Sequence, residues 1–128
     1  MSYDLQLNEP GTDSPCALDA PHQMKGGTYA VGGTDLARLS ITYNYATLLR
    51  KVLPKRVNSH AEFVGGIRSL YGRTGAESIS VLLESMAMLA DEPPSADYWE
   101  ATEGNVRRAL GCCLALARMR PDGVWEGD

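Results

Sequence analysis

The chain holds two histidines, His22 and His60, and three cysteines, Cys16, Cys112 and Cys113. Nucleophilic catalysis needs a nucleophile, a base and usually a group that orients the base. Each imidazole lies in a polar loop, and neither adjoins a G-x-S-x-G elbow or a cysteine-protease signature. Metal binding needs ligands at recurrent spacing, and the cysteines form no C-x-x-C pair. Neighbours on a helix point about 100° apart, so Cys112 and Cys113 are not expected to form an unstrained disulfide. Free thiols fit a reducing cytoplasm. The glycine pairs Gly26-Gly27, Gly32-Gly33 and Gly65-Gly66 match neither a dinucleotide fingerprint nor a P-loop and read as turns. Asp91-Glu92 reads as a solvated pair, and Glu100 and Glu103 as capping residues at a helix start. No catalytic residue, metal site or cofactor is assigned, and the balance leans away from an enzyme.

Two aromatic stretches offer more. In Tyr43-Asn44-Tyr45 a strand gives way to a helix, which can gather hydroxyls and an amide at a sheet edge. The two tyrosines equally suit core rings with one polar tip in water. Tyr98-Trp99 precedes the last helix, as a staple closing the core, the preferred reading, or as an interface anchor. Together with His22 and Arg73 these residues are the candidates for binding a ligand or partner.

The net charge is −4, but six cations (Arg50, Lys51, Lys55, Arg56, Arg68, Arg73) and one acid, Glu62, make the segment 50–73 +5 and the remainder −9. A local basic face is expected, with Arg50, Lys51, Lys55 and Arg56 as weak nucleic-acid candidates. Only Tyr71 and Phe63 interleave with it, and Phe63 is expected to be buried. A solvated helix end is the simpler reading.

The positioning elements follow from periodicity. Tyr3, Leu5 and Leu7 alternate with polar residues, as in a half-buried strand. Cys16 to Asp19 could return as a second strand, ended by Pro21. Thr28 to Val31 and Thr34 to Thr42, parted by Gly32-Gly33, read as a hairpin. Ala37, Leu39, Ile41 and Tyr43 share its apolar face. A helix over Tyr45 to Val52 would be capped by Asn44 and closed before Pro54. Ser59-His60-Ala61-Glu62 has the form of a capping box for a short helix before Tyr71. Thr74-Gly75-Ala76-Glu77 opens a stronger helix, with Ile79, Leu82, Leu83, Met86, Leu89 and Ala90 as its stripe. The best helix runs from Thr102 to Met119, where Val106, Ala109, Leu110, Cys113, Leu114 and Ala117 recur at three-and-four spacing. Val124-Trp125 would add an edge strand or a packed tail. At 128 residues with 44% hydrophobic content, this is one domain spanning 1–128. Strands precede helices, so the fold class is α+β: a small antiparallel sheet of N-terminal strands and hairpin, covered on one face by about three helices. No apolar run is long enough for a membrane span.

Five stretches carry a resemblance: Gly26 to Ala30, Ile41 to Tyr45, Gly66 to Glu77 (GIRSLYGRTGAE), Tyr98 to Leu110 (YWEATEGNVRRAL) and Arg120 to Trp125. Together they resemble a family of small uncharacterised proteins of bacteria, phages and prophages. The resemblance implies a stand-alone protein of mobile-element origin and brings no catalytic residues. The expected function is a small cytoplasmic protein acting by protein–protein contact, such as a phage or prophage modulator. The alternatives are a small-molecule or nucleotide-binding protein or enzyme with a polar-aromatic pocket, and a nucleic-acid binder using the basic face. A homodimer through an exposed sheet edge is also expected as an option.

Overall fold

The structure, a computed structural model, describes residues 1–22, 34–58 and 60–128, and of residues 20–22 the backbone alone. The expected Gly32-Gly33 hairpin turn, its first run Thr28 to Val31, and Gly26-Gly27 lie outside the described residues.

The principal sheet is three-stranded and antiparallel, in the order β4 (Arg38–Thr42), β1 (Ser2–Asn8), β7 (Val124–Gly127). Its register explains its core face: Tyr3 pairs with Ile41, Leu5 with Leu39 and Leu7 with Trp125. All six side chains are buried, while Asp4, Arg38 and Glu126 face the other way, exposed. The N-terminal strand is therefore central, and the tail is an integral strand. The outer edge of β7 is closed by the chain itself: Trp125 N donates to Arg73 O at 2.9 Å and Gly72 N to Trp125 O at 2.8 Å.

β2 (Ala17–His22) pairs with β3 (Thr34–Leu36) in a second small sheet. Pro21 does not end β2, which runs on to His22. The ladder's register shifts between Ala17 and His22, and such an irregularity tolerates a residue without an N–H. The expected run Thr34 to Thr42 bends at buried Ala37, which joins the two sheets. Leu7 N donates to Ala37 O, Ala37 N to Cys16 O and Cys16 N to Leu7 O.

Three α-helices pack on the core: α1 (Ala46–Val52), α2 (Gly75–Ala87) and α3 (Glu103–Met119). Asn44 does not cap α1. Its N-cap is Tyr45, with no side-chain bond, and Thr42 instead caps the preceding 3-10 turn, Tyr43–Tyr45, accepting from Asn44 N at 3.2 Å. Thr74 and Glu77 form the expected capping box of α2, and Thr102 caps α3. Of the expected α2 stripe, Leu82 and Leu89 are buried and Ile79 and Met86 pack partly buried against the core. Leu83 and Ala90 are exposed, and Gly75, Ser78, Leu82 and Ser85 are buried. Both serines are satisfied there: Ser78 Oγ donates to Gly75 O, and Ser85 Oγ lies within bonding distance of Val52 O and Val81 O.

Between α1 and α2, β5 (Arg56–Val57) and β6 (Phe63–Val64) form a short hairpin. Ser59 lies outside the described residues. His60 and Glu62 belong to the hairpin's turn, where both backbone N–H groups donate to Asn58 Oδ1. The helix expected before Tyr71 is a 3-10 turn over Gly66–Leu70, entered through Gly66 at φ +64°. No helix among the described residues is long and apolar enough to cross a membrane.

Candidate functional site

A 3-10 turn has three residues per turn, so consecutive side chains leave it about 120° apart. Tyr43, Asn44 and Tyr45 obey this. Tyr45 enters the core, Asn44 faces solvent, and Tyr43 lies half-buried at the end of the sheet. The Tyr43 ring meets Tyr3 at 4.4 Å between centroids. The Arg68 guanidinium covers both rings, 5.1 Å from Tyr3 and 5.9 Å from Tyr43. Arg68 also donates to Tyr43 Oη at 3.3 Å and to the Asp128 carbonyl oxygen at 3.0 Å. This arginine serves the aromatic cluster as well as the basic segment.

Asn44 and Tyr45 both reach the loop before α3. Asn44 Nδ2 donates to Trp99 O at 3.0 Å, and the Tyr45 hydroxyl donates to Tyr98 O. Burial pushes the Tyr45 phenol up, and Arg108 partly opposes it. The Tyr98 ring stands edge-on to Tyr45 at 6.4 Å and against Trp99 at 4.4 Å. Tyr98 is thus the staple expected of it, whereas Trp99 is 54% exposed.

The loop is held from beneath by Asn105, which sequence reasoning missed. Asn105 is buried in the first turn of α3. Its Oδ1 accepts from Ser95 N at 2.9 Å, and its Nδ2 donates to Asp97 O at 3.1 Å and Glu100 O at 2.8 Å. The signal was available: asparagine favours turns over helix interiors, and this one sits in a helix's first turn, behind a loop rich in polar residues. Asp97 Oδ1 adds a bond from Trp99 N at 3.1 Å.

Four of the seven candidates therefore converge, Asn44, Tyr45, Tyr98 and Trp99, while the Tyr43 ring lies with Tyr3 and Arg68. Arg73 does not join them. Its Nε donates to Ser69 O at 3.2 Å and its backbone closes β7. Burial, then nearby Arg56, lowers its pKa. The side chain of His22 lies outside the described residues. None of the candidates lines either of two clefts formed by described residues. One, of about 680 Å³, is lined by Asp4, Glu9, Asp13, Glu126 and Asp128 among others. The second, of about 540 Å³, is lined by Met86, Arg107, Arg108, Gly111 and Cys112 among others.

Arg50, Lys51 and Lys55 are exposed and Arg56 is half-buried. Phe63 is not buried, as it was expected to be, but 80% exposed, because the hairpin turns it outward. The three cysteines are free thiols, with Cys16 and Cys113 buried. Burial pushes both up, the opposite of an activated nucleophile. Among the described residues no group of three His, Cys, Asp or Glu side chains is placed to hold a metal ion. No protein-family model, curated protein or solved structure matches the chain.

Proposed function

We propose that this chain is a binding protein, acting by contact with a protein partner through the surface of Trp99, Tyr98 and Asn44. The observation that carries the reading is Trp99 itself. Its ring is more than half exposed, on a loop whose backbone is fixed by Asn44, Asn105 and Asp97. An exposed indole on a pinned loop loses little freedom on binding, and tryptophan, tyrosine and arginine are the residues enriched among interface anchors. A shared small-molecule pocket lacks such support, since these residues line neither cleft. The resemblance to phage and prophage proteins fits a modulator of a host protein in a reducing cytoplasm.

The test compares the chain with Trp99→Ala. Both are immobilised and exposed to bacterial lysate, and the retained proteins are quantified by mass spectrometry. A partner held by the parent and reduced roughly 30-fold by the substitution is expected, as for an anchor worth about 2 kcal/mol. Thermal unfolding of both should coincide, because the indole is largely exposed. Equal retention by both chains would refute the reading.

A further inference from the structure

The β5–β6 hairpin carries an exposed apolar pair remote from the Trp99 loop in sequence. Val57 and Phe63 oppose each other in the antiparallel ladder, so they leave the same face of the ribbon. Val57 is 48% exposed, beside the more exposed Phe63. Lys55, two residues before Val57, shares that face. Its stem crosses Gly65, where an added Cβ would lie 3.5 Å from Lys55 Cγ. Arg50 flanks it across Gly66, where the same distance to Arg50 Cγ is 3.2 Å. Among the described residues Arg50, Lys51, Lys55 and Arg56 form no ion pair. Asn58 accepts two backbone N–H groups in the turn, which holds Ala61 at φ +59°.

On the polar side of the principal sheet lies its electrostatic complement, the 680 Å³ cleft. Asp4, Asp13, Glu126 and Asp128 line it and are in no ion pair among the described residues, while Glu9 is held by Arg120 at 2.8 Å. Val124 and Gly11 supply uncharged wall.

We infer that the two surfaces belong to one contact, in which the β5–β6 ribbon of one copy docks in the acidic cleft of a second. Charge selects this occupant. A polyanion brought to the ribbon would meet the −9 of the rest of the chain. A second copy instead brings carboxylates that hold no ion pair to Lys55 and Arg50, the two cations beside the apolar pair. A two-stranded ribbon, with strands about 5 Å apart, is narrow enough to act as a finger. The contact is head-to-tail: each copy offers one ribbon and one cleft, so association extends or closes into a ring. Charged and small, it is weak and salt-sensitive.

Sedimentation velocity of the full chain tests this at about 50 mM and about 500 mM salt, which bracket strong and weak screening. Concentration-dependent oligomers are expected at low salt and monomer at high salt. Phe63→Asp removes the ribbon, and the double substitution Asp13→Lys, Glu126→Lys removes the cleft. Each variant alone should stay monomeric, with unchanged circular dichroism. Their mixture retains one intact ribbon and one intact cleft, and should give a 1:1 dimer and nothing larger. A parent chain that is monomeric at low salt, a mixture that does not dimerise, or oligomers that persist in both variants would overturn the inference. So would a ribbon that binds single-stranded oligonucleotide while the chain stays monomeric.

Discussion

Asn44 and Trp99 stand 55 residues apart, and the Asn44 carboxamide donates to the Trp99 carbonyl oxygen at 3.0 Å. The same loop is held from inside by Asn105. The two asparagines should differ sharply in worth. Asn44 is exposed, so water replaces its partner after Asn44→Ala, and the loss is about 0.5–1 kcal/mol. Asn105→Ala strands Ser95 N–H and two carbonyl groups in a partly buried site, for about 2–4 kcal/mol. Urea unfolding measures both. Equal effects would show that the inner clamp does not carry the loop.

The indole N–H of Trp125 donates to Ser78 Oγ at 2.9 Å, both groups buried. This bond ties the last strand to α2. Ser78→Ala raises helix propensity by a few tenths of a kcal/mol. It also leaves a buried donor unpaired, at about 1–3 kcal/mol. The second effect wins, so Ser78→Ala should lower the urea midpoint. An unchanged midpoint would mean that the bond adds nothing.

That serine also shows where sequence reading succeeds and fails. α3 was legible because apolar residues, cap and terminating proline all agree. The stripe of α2 was legible at Ile79, Leu82, Met86 and Leu89 but not at Ser78 and Ser85, whose buried hydroxyls bond to Gly75 O and Val81 O within the helix as well as to Trp125 Nε1 and Val52 O. A hydropathy pattern counts them as polar and places Leu83 inside instead. Tyr43-Asn44-Tyr45 and Tyr98-Trp99 were each visible as unusual stretches, but their meeting depends on long-range packing that no local pattern encodes. Phe63 was misplaced because a two-residue strand has too few positions to show which face is buried.

Gly104, at the start of α3, sets two local rules against each other. Alanine is the better helix former by up to about 1 kcal/mol. A Cβ there would lie 2.5 Å from the Pro93 carbonyl oxygen and 2.9 Å from that of Glu92. Both obstacles are backbone and cannot swing aside as a side chain would. Gly104→Ala should therefore destabilise by about 1–3 kcal/mol despite the propensity gain. Thermal unfolding of the variant decides the sign, and a raised midpoint would show that the loop yields.

Stability should decline at both ends of the pH scale, for different groups. The backbone N–H of Thr74 holds the Glu77 carboxylate below its ordinary value, and the Arg120 guanidinium does the same for Asp122. A depressed folded-state pKa contributes stability that is complete above the unfolded value and lost as pH falls through the folded one. The acid limb thus begins in the ordinary carboxylate range, and Glu77→Gln should flatten part of it. At the other end, burial first of all pushes up the Tyr71 phenol and the Cys113 thiol. The fold then favours their neutral forms, and that contribution is lost as pH rises past the ordinary thiol and phenol values of 9.0 and 10.0. Tyr71→Phe removes one of the two ionisations. It should move the alkaline limb upward, at the loss of a 3.3 Å bond to the Asp128 carbonyl oxygen. Unfolding midpoints measured from pH 3 to about 11 in the parent and both variants test this. An alkaline limb unmoved by Tyr71→Phe would assign it to other groups.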